Sequence, residues 1–475
     1  MKPQPERVAL RPPGSGPMPI YDKVIVAIVG LVVIWLYYRY NNPVPDLRGD
    51  QAQDSFAYIE LAKGLLRGDG YPTKHLQPGF PLVLATWITA VGLDFYWLKL
   101  FAMTCGLATA ALSIRLFQRA GYPHVAPLLG CALAATPIFF DYSHRLMSEI
   151  PFLACSTIAL LALLELQHAS TTRQQLTAGI LLSVFAPFAV LIRGNGLALV
   201  PAVGSVIILN RGRTGRGIRR WLYGALATMA TVFFGWMLWG RSHDFEGIRN
   251  VTYFQEVQST DLQALWASGG AALASSRVTA AGMVRRIYEN IAWYQVYNAD
   301  ATVWPGANHL AEVQLSRSGS VLAFLGLIPA VIGAVHLARR VPALFVWLVC
   351  SILLVLWYPT GGAARMLLPS VPILILAFYM GFEGLVGARG AFGLLLCAAI
   401  ANLFACAVQG DMQARTPYVG NPYGTNEAAR EVLSLIREDL TGLTAADSLI
   451  VSDYAEVIRA LTDRRAVGRP TLGRG

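Results

Sequence analysis

Charge is what this sequence has least of. Asp, Glu, Lys and Arg together make up 14% of it, where a soluble domain carries about a quarter. A single large soluble core is therefore excluded as the bulk of the fold. Cysteine is scarce as well. Cys105, Cys131, Cys155, Cys350, Cys397 and Cys406 all lie inside apolar blocks without metal-ligand spacing, which favours small packing residues over disulfide or redox roles. No internal repeat appears, and no low-complexity tract beyond the Pro- and Gly-rich start. The first apolar block lacks a small-residue cleavage site: Tyr37, Tyr38, Arg39 and Tyr40 follow it. It reads as a retained span, not a signal peptide.

What is present is hydrophobic sequence, 55% of the residues, cut into blocks by short polar loops. About 20 apolar residues suffice to cross the hydrocarbon core. The formal net charge of +10 sits on alternate loops, the positive-inside pattern, so it reports orientation and argues against a nucleic-acid partner. Arg211, Arg213, Arg216, Arg219 and Arg220 form its strongest cytoplasmic marker. The expected fold is an all-α transmembrane bundle of about eleven spans. They are 24–38, 96–117, 125–140, 151–166, 176–192, 196–209, 221–239, 321–337, 343–357, 366–382 and 392–408.

Residues 1–20 then form a cytoplasmic tail, 21–408 the polytopic domain, and 409–475 a small external C-terminal segment. External loops at 41–95 and 241–319 carry the longest polar stretches. In the first, Tyr58, Leu61, Ala62, Leu65 and Leu66 recur at helical spacing behind Asp54, giving an amphipathic helix at the interface. Residues 79–91 are apolar but short, flanked by Pro78 and Pro81, and read as interfacial or re-entrant. In the tail, 427–440 reads as a short helix and 448–452 as a short strand.

On this topology a set of ionisable residues gathers at external helix ends: Asp50, Asp54, Lys74, His75, Asp141, His144, Arg145, Glu149, Arg193 and Arg365. Such groups cost about 2.5–3.5 kcal/mol at membrane depth and normally face a protein interior or wet cavity. Acids and bases together suit proton transfer beside an anionic ligand. Blander readings stand beside this one. Asp54 also suits a helix cap, Lys74, His75 and Arg365 suit headgroup anchoring, and Glu149 suits a helix N-terminus. Asp50 and Asp54, spaced i, i+4, could share a divalent cation, although two carboxylates alone are a weak metal signal; otherwise no cofactor is implied.

Several segments resemble polytopic glycosyltransferases of the GT-C superfamily, nearest to the family 39 type that includes protein O-mannosyltransferases and lipid A aminoarabinose transferases. The segment from Asp54-Ser55-Phe56-Ala57-Tyr58 to Arg67-Gly68 is similar to that family's external acidic motif and interfacial helix. Lys74-His75-Leu76-Gln77-Pro78-Gly79-Phe80-Pro81 resembles its proline segment, and Met147-Ser148-Glu149-Ile150-Pro151-Phe152 its acidic helix start. Ile192-Arg193-Gly194-Asn195-Gly196-Leu197 and Arg365-Met366-Leu367-Leu368-Pro369 resemble two arginine motifs, and Asp463-Arg464-Arg465-Ala466-Val467 a terminal external segment. Two positions depart from the pattern: Ser55 replaces a second acid, and Pro78-Gly79 stands where many relatives have two prolines.

The resemblance implies a multi-pass protein of the cell's inner (plasma) membrane. It would move a sugar from a polyprenyl-phosphate donor to a glycan, lipid or protein acceptor at the external face, with inversion. Asp54 would be the general base. Lys74, His75, Arg193 and Arg365 would hold the carrier phosphate, and Asp141 and Glu149 would orient the acceptor or hold those cations. Asp50, Tyr58, His144 and Arg145 complete the expected substrate-binding set. The rival from another class is a lipid-linked sugar flippase or other transporter; the missing repeat and the one-ended polar set weigh against it.

Overall fold

The computed structural model describes residues 19–41, 49–69, 71, 76–209, 215–242, 317–356, 364–415, 450–451 and 466–467. Among these the chain is almost wholly helical, as the apolar blocks require: in lipid a helix satisfies its own backbone hydrogen bonds. Six helices are long and apolar enough to cross a membrane by length and composition. The expected helix at 427–440 and nearly all of the long loop at 241–319 lie outside the described residues.

The N-terminal half runs α1 (Ile20–Tyr40), α2 (Gly49–Arg67), α3 (Gly79–Val91), α4 (Phe95–Arg119), α5 (Ala126–Ala134), α6 (Pro137–Ser143) and α7 (Glu149–His168). Then come α8 (Thr172–Ile192), a 3-10 turn at Gly194–Ala198, α9 (Leu199–Leu209) and α10 (Arg216–Ser242). The C-terminal part has α11 (Arg317–Arg340), α12 (Pro342–Leu356), a 3-10 turn at Ala364–Ser370 and α13 (Val371–Arg415). Two-residue strands β1 (Ile450–Val451) and β2 (Ala466–Val467) pair in parallel, with Ile450 opposite Ala466. β1 falls within the strand expected at 448–452.

The elements start and stop for local reasons. α8 opens on a capping box: Thr171 accepts from the Gln174 N–H while the Gln174 side chain accepts from the Thr171 N–H. Asp94 caps α4 by accepting from the Tyr96 N–H at 2.8 Å. The expected single span at 125–140 is instead the pair α5 and α6, because Pro137 provides no N–H and Thr136 ahead of it is extended (φ −63°, ψ 124°). The expected span at 366–382 begins as a 3-10 turn, since Pro369 removes an α-helical donor from its first turns. α13 has 45 residues, about 68 Å if straight, over twice a hydrocarbon core of about 30 Å. It breaks at Gly387, whose φ of 76° suits glycine. The break falls between the two spans expected there.

α7 lies at the centre, packed on α4 and α8. In its apolar stretch 83% of residues are buried, against 17–44% in the other candidate spans, which makes it the helix the rest assemble around. At its C-terminal end Glu165 holds Arg119 at 2.6 Å and Arg115 at 3.2 Å. Arg340 meets the Tyr122 hydroxyl at 2.5 Å. The N-terminal end of α7, about 24 Å away by helical rise, carries a different set of side chains.

Candidate active site

At that end four segments distant in sequence converge. α2 brings Asp54 and Tyr58, one helical turn apart. α7 brings Ser148 and Glu149, the end of α8 brings Arg193, and the 3-10 turn before α13 brings Arg365 and Met366. Arg193 is exposed to the cluster because α8 stops at Ile192: its own backbone is extended (φ −151°, ψ 141°) and the chain turns at once into Gly194–Ala198. α3 buttresses this turn. The backbone of Leu191 and Ile192 passes so close to Gly79 that a Cβ there would lie 2.7 Å from the Ile192 nitrogen. The departure from a double proline at Pro78-Gly79 thus has a steric reason.

Two ion pairs dominate the cluster. Arg365 Nη1 donates to Asp54 Oδ2 at 2.8 Å, with the side chains 22% and 31% exposed. Arg193 Nη1 stands 2.8 Å from Glu149 Oε1, with Glu149 only 1% exposed. Among the described residues neither Glu149 oxygen has a partner in hydrogen-bond geometry, and the pair is a close contact of opposite charges. The directed bond from Arg193 Nη1 goes to Ser148 Oγ at 2.9 Å, and Arg193 Nη2 reaches the Met366 sulfur at 3.7 Å. Ser148 Oγ also shares a hydrogen bond with the Tyr58 hydroxyl at 2.9 Å. Burial pushes the Tyr58 phenol up to about 12 against the pull of Arg193, so it stays neutral through the physiological range.

A second layer lies behind. Arg145 and Asp141, spaced i, i+4, pair at 2.5 Å, both nearly buried. The Arg145 guanidinium lies 5.0 Å from the Tyr142 ring centre. Burial pushes the Tyr142 phenol up, followed by the nearby Glu149 carboxylate, with Arg145 and Arg365 opposing. His144 bonds to backbone, not to the ion pairs. Its Nδ1 lies 2.7 Å from the Phe140 carbonyl and its Nε2 3.0 Å from the Tyr37 carbonyl, which joins α6 to the end of α1. Burial pulls its pKa below the ordinary value, although both carbonyls favour the charged ring.

Of the residues expected from sequence, then, Asp54, Tyr58, Glu149, Arg193 and Arg365 form one cluster, with Asp141 and Arg145 behind it. His144 is a structural link. Lys74 and His75 lie outside the described residues, as does the side chain of Asp50. Arg365, expected at a phosphate, is paired with the candidate base Asp54. Ser148, Tyr142 and Met366 were not singled out from sequence; Ser148 and Met366 were visible there only as neighbours of Glu149 and Arg365. Among the described residues no group of three or more His, Cys, Asp or Glu could hold a metal.

Residues 84–215 match the family model described as dolichyl-phosphate-mannose-protein mannosyltransferase. That stretch contains Glu149 and Arg193. Among solved structures the chain resembles ArnT from Cupriavidus metallidurans bound to undecaprenyl phosphate, with a TM-score of 0.58 and 13% identity over 93% of this chain and 85% of that one. It also resembles the Archaeoglobus fulgidus oligosaccharyltransferase in its apo form, with a TM-score of 0.56 and 13% identity over 95% of this chain. The complex of the same protein with Zn and sulfate gives 0.54 and 15% over 94%. The chain spans 65% and 62% of those archaeal chains, under two thirds. No curated protein matches it by sequence. The likeness across nearly the whole chain bears out the resemblance drawn from the sequence motifs: this is a polytopic membrane protein with the GT-C fold.

Proposed function

We propose that the protein is a glycosyltransferase that moves a sugar from a polyprenyl-phosphate donor to an acceptor hydroxyl on a lipid, glycan or protein. The observation that carries this reading is the convergence of Asp54–Arg365 and Glu149–Arg193, from four separate segments, at one end of an apolar bundle. An amphiphilic donor with an anionic head and an apolar tail fits a charged cluster at one end of an apolar bundle. The likeness to a protein crystallised with undecaprenyl phosphate supports the same donor class.

In this mechanism the acceptor oxygen attacks the anomeric carbon from the face opposite the phosphate. The new carbon–oxygen bond forms as the anomeric bond to the phosphate oxygen breaks, and the configuration inverts. The phosphate keeps the electron pair and goes from one negative charge to two. The acceptor proton passes to Asp54, the more accessible of the two paired carboxylates. Arg365, bonded to the other side of that carboxylate, fixes its orientation. Arg193 faces the growing phosphate charge, where a fixed cation stabilises the transition state more than the ground state. Lys74 and His75 are the further cations proposed for the phosphate.

The alternating basic loops orient the cluster toward the external face of the plasma membrane, with the N-terminus cytoplasmic and residues 409–475 external. The test is to give purified protein a panel of polyprenyl-phosphate sugars with acceptors. Release of free polyprenyl phosphate together with glycosylated product supports the reading. Movement of the intact donor across vesicles without release would instead support the transporter.

A further inference from the structure

Ser148 stands at the N-cap position of α7, yet its hydroxyl caps nothing. Its backbone is helical (φ −71°, ψ −14°) and its side chain makes no bond to the helix N–H groups, although serine is among the preferred capping residues. The hydroxyl is fully buried. Its capacity goes to Arg193 Nη1 on one side and the Tyr58 hydroxyl on the other, each at 2.9 Å.

These bonds close a circuit around the site. Asp54 is bonded to Arg365, the next residue Met366 touches Arg193, and Arg193 is bonded to Ser148. Ser148 is bonded to Tyr58, which lies one turn from Asp54 on α2. Glu149 Oε1 lies 2.8 Å from Arg193 Nη1, and the directed bond from that same nitrogen goes to Ser148 Oγ. The bond that Ser148 Oγ accepts from Arg193 Nη1 fixes the direction of that nitrogen. From this we infer that Ser148, braced by Tyr58, is a positioning residue: it aims Arg193 at the departing phosphate and fixes its distance from the base Asp54.

The inference rests on the proposed glycosyl transfer, and the reaction makes it specific. Because the phosphate gains a charge only as its bond to the sugar breaks, a misaimed Arg193 affects turnover more than donor binding. Ser148→Ala removes the bond to Arg193 outright, and Tyr58→Phe removes only the brace on Ser148. Tyr58→Phe leaves volume unchanged, so it remains informative should the buried Ser148→Ala variant fold poorly.

The experiment measures kcat and donor KM for wild type, both single variants and the double variant. The expected result is about a tenfold loss of kcat in Ser148→Ala, which loses an orienting hydrogen bond to a charged group, and a loss of about threefold in Tyr58→Phe, which loses a neutral one. Donor KM stays within about twofold, and the double variant is no worse than about twice the poorer single one, because Tyr58 acts on Arg193 only through Ser148. Wild-type turnover in Tyr58→Phe, losses that multiply in the double variant, or a rise in KM without loss of kcat would overturn it. Modification of Arg193 by phenylglyoxal, read by peptide mass, separates this inference from the reaction itself. A faster rate in Ser148→Ala supports positioning even if wild type transfers no sugar tested, whereas an unchanged rate overturns it.

Discussion

At the scale of single residues the site is a set of charges whose cost is met by close partners. Glu149 is almost fully buried, and Arg193 in contact, with Arg365 nearby, makes its charge tolerable. Arg193→Gln should therefore destabilise the protein by about 3–5 kcal/mol, the usual effect of stranding one member of a buried pair. Arg193→Gln combined with Glu149→Gln should recover part of that loss; chemical denaturation in detergent measures both. His144 makes a separate prediction. Burial lowers its pKa from the ordinary 6.5, so the folded state prefers the neutral ring while the unfolded chain still takes up a proton near 6.5. The sign follows: stability is fully present above that pH and declines as pH falls toward the folded-state pKa. The melting temperature should drop between pH 7 and pH 5, and His144→Gln should flatten that drop. An equal drop in the variant would remove His144 as its cause.

At the scale of elements, the geometry depends on where helices stop. α8 ends one residue before Arg193, and α3 can approach that end only because residue 79 has no side chain beyond hydrogen. Gly79→Ala should cost about 1–3 kcal/mol from overpacking against backbone that cannot yield. Because the strain falls on Leu191 and Ile192, it should also displace Arg193 and lower activity beyond the loss of folded protein. Thermal unfolding and specific activity of the surviving folded fraction separate the two effects.

The elements also show how much the sequence could tell. Long apolar blocks such as Glu149–His168 were legible because the membrane demands them, and the sharp turn at Arg193 was legible because an arginine between two apolar runs has few other places to be. Asp54, Glu149, Arg193 and Arg365 could be grouped by the expected topology alone, since that topology puts each on the external side. Their pairing could not. Which acid meets which arginine depends on helix rotation and on a 3-10 turn set by Pro369, and neither follows from hydropathy. The split of residues 125–140 was missed because apolar content does not register the break at Thr136–Pro137, although the proline itself was in view.

At the scale of the whole molecule, two polar ends are joined through α7. One holds Glu165 between Arg115 and Arg119; the other holds the Asp54 and Glu149 pairs. Such a polarised bundle suits chemistry at one membrane face, whereas a transporter tends to place its ionisable groups near the midplane. If the eleven spans expected from the sequence all cross, the two termini lie on opposite sides of the membrane. Reporter tags at residues 1 and 475 should therefore differ in protease accessibility in sealed vesicles, and equal accessibility would exclude an odd number of spans. The central claim, that this end transfers a sugar with Asp54 as base, is tested most directly by comparing wild type with Asp54→Asn for release of polyprenyl phosphate from its sugar-linked form. The account predicts a folded variant whose turnover falls by about 10²–10⁴, the usual contribution of a general base; full turnover in Asp54→Asn would contradict it.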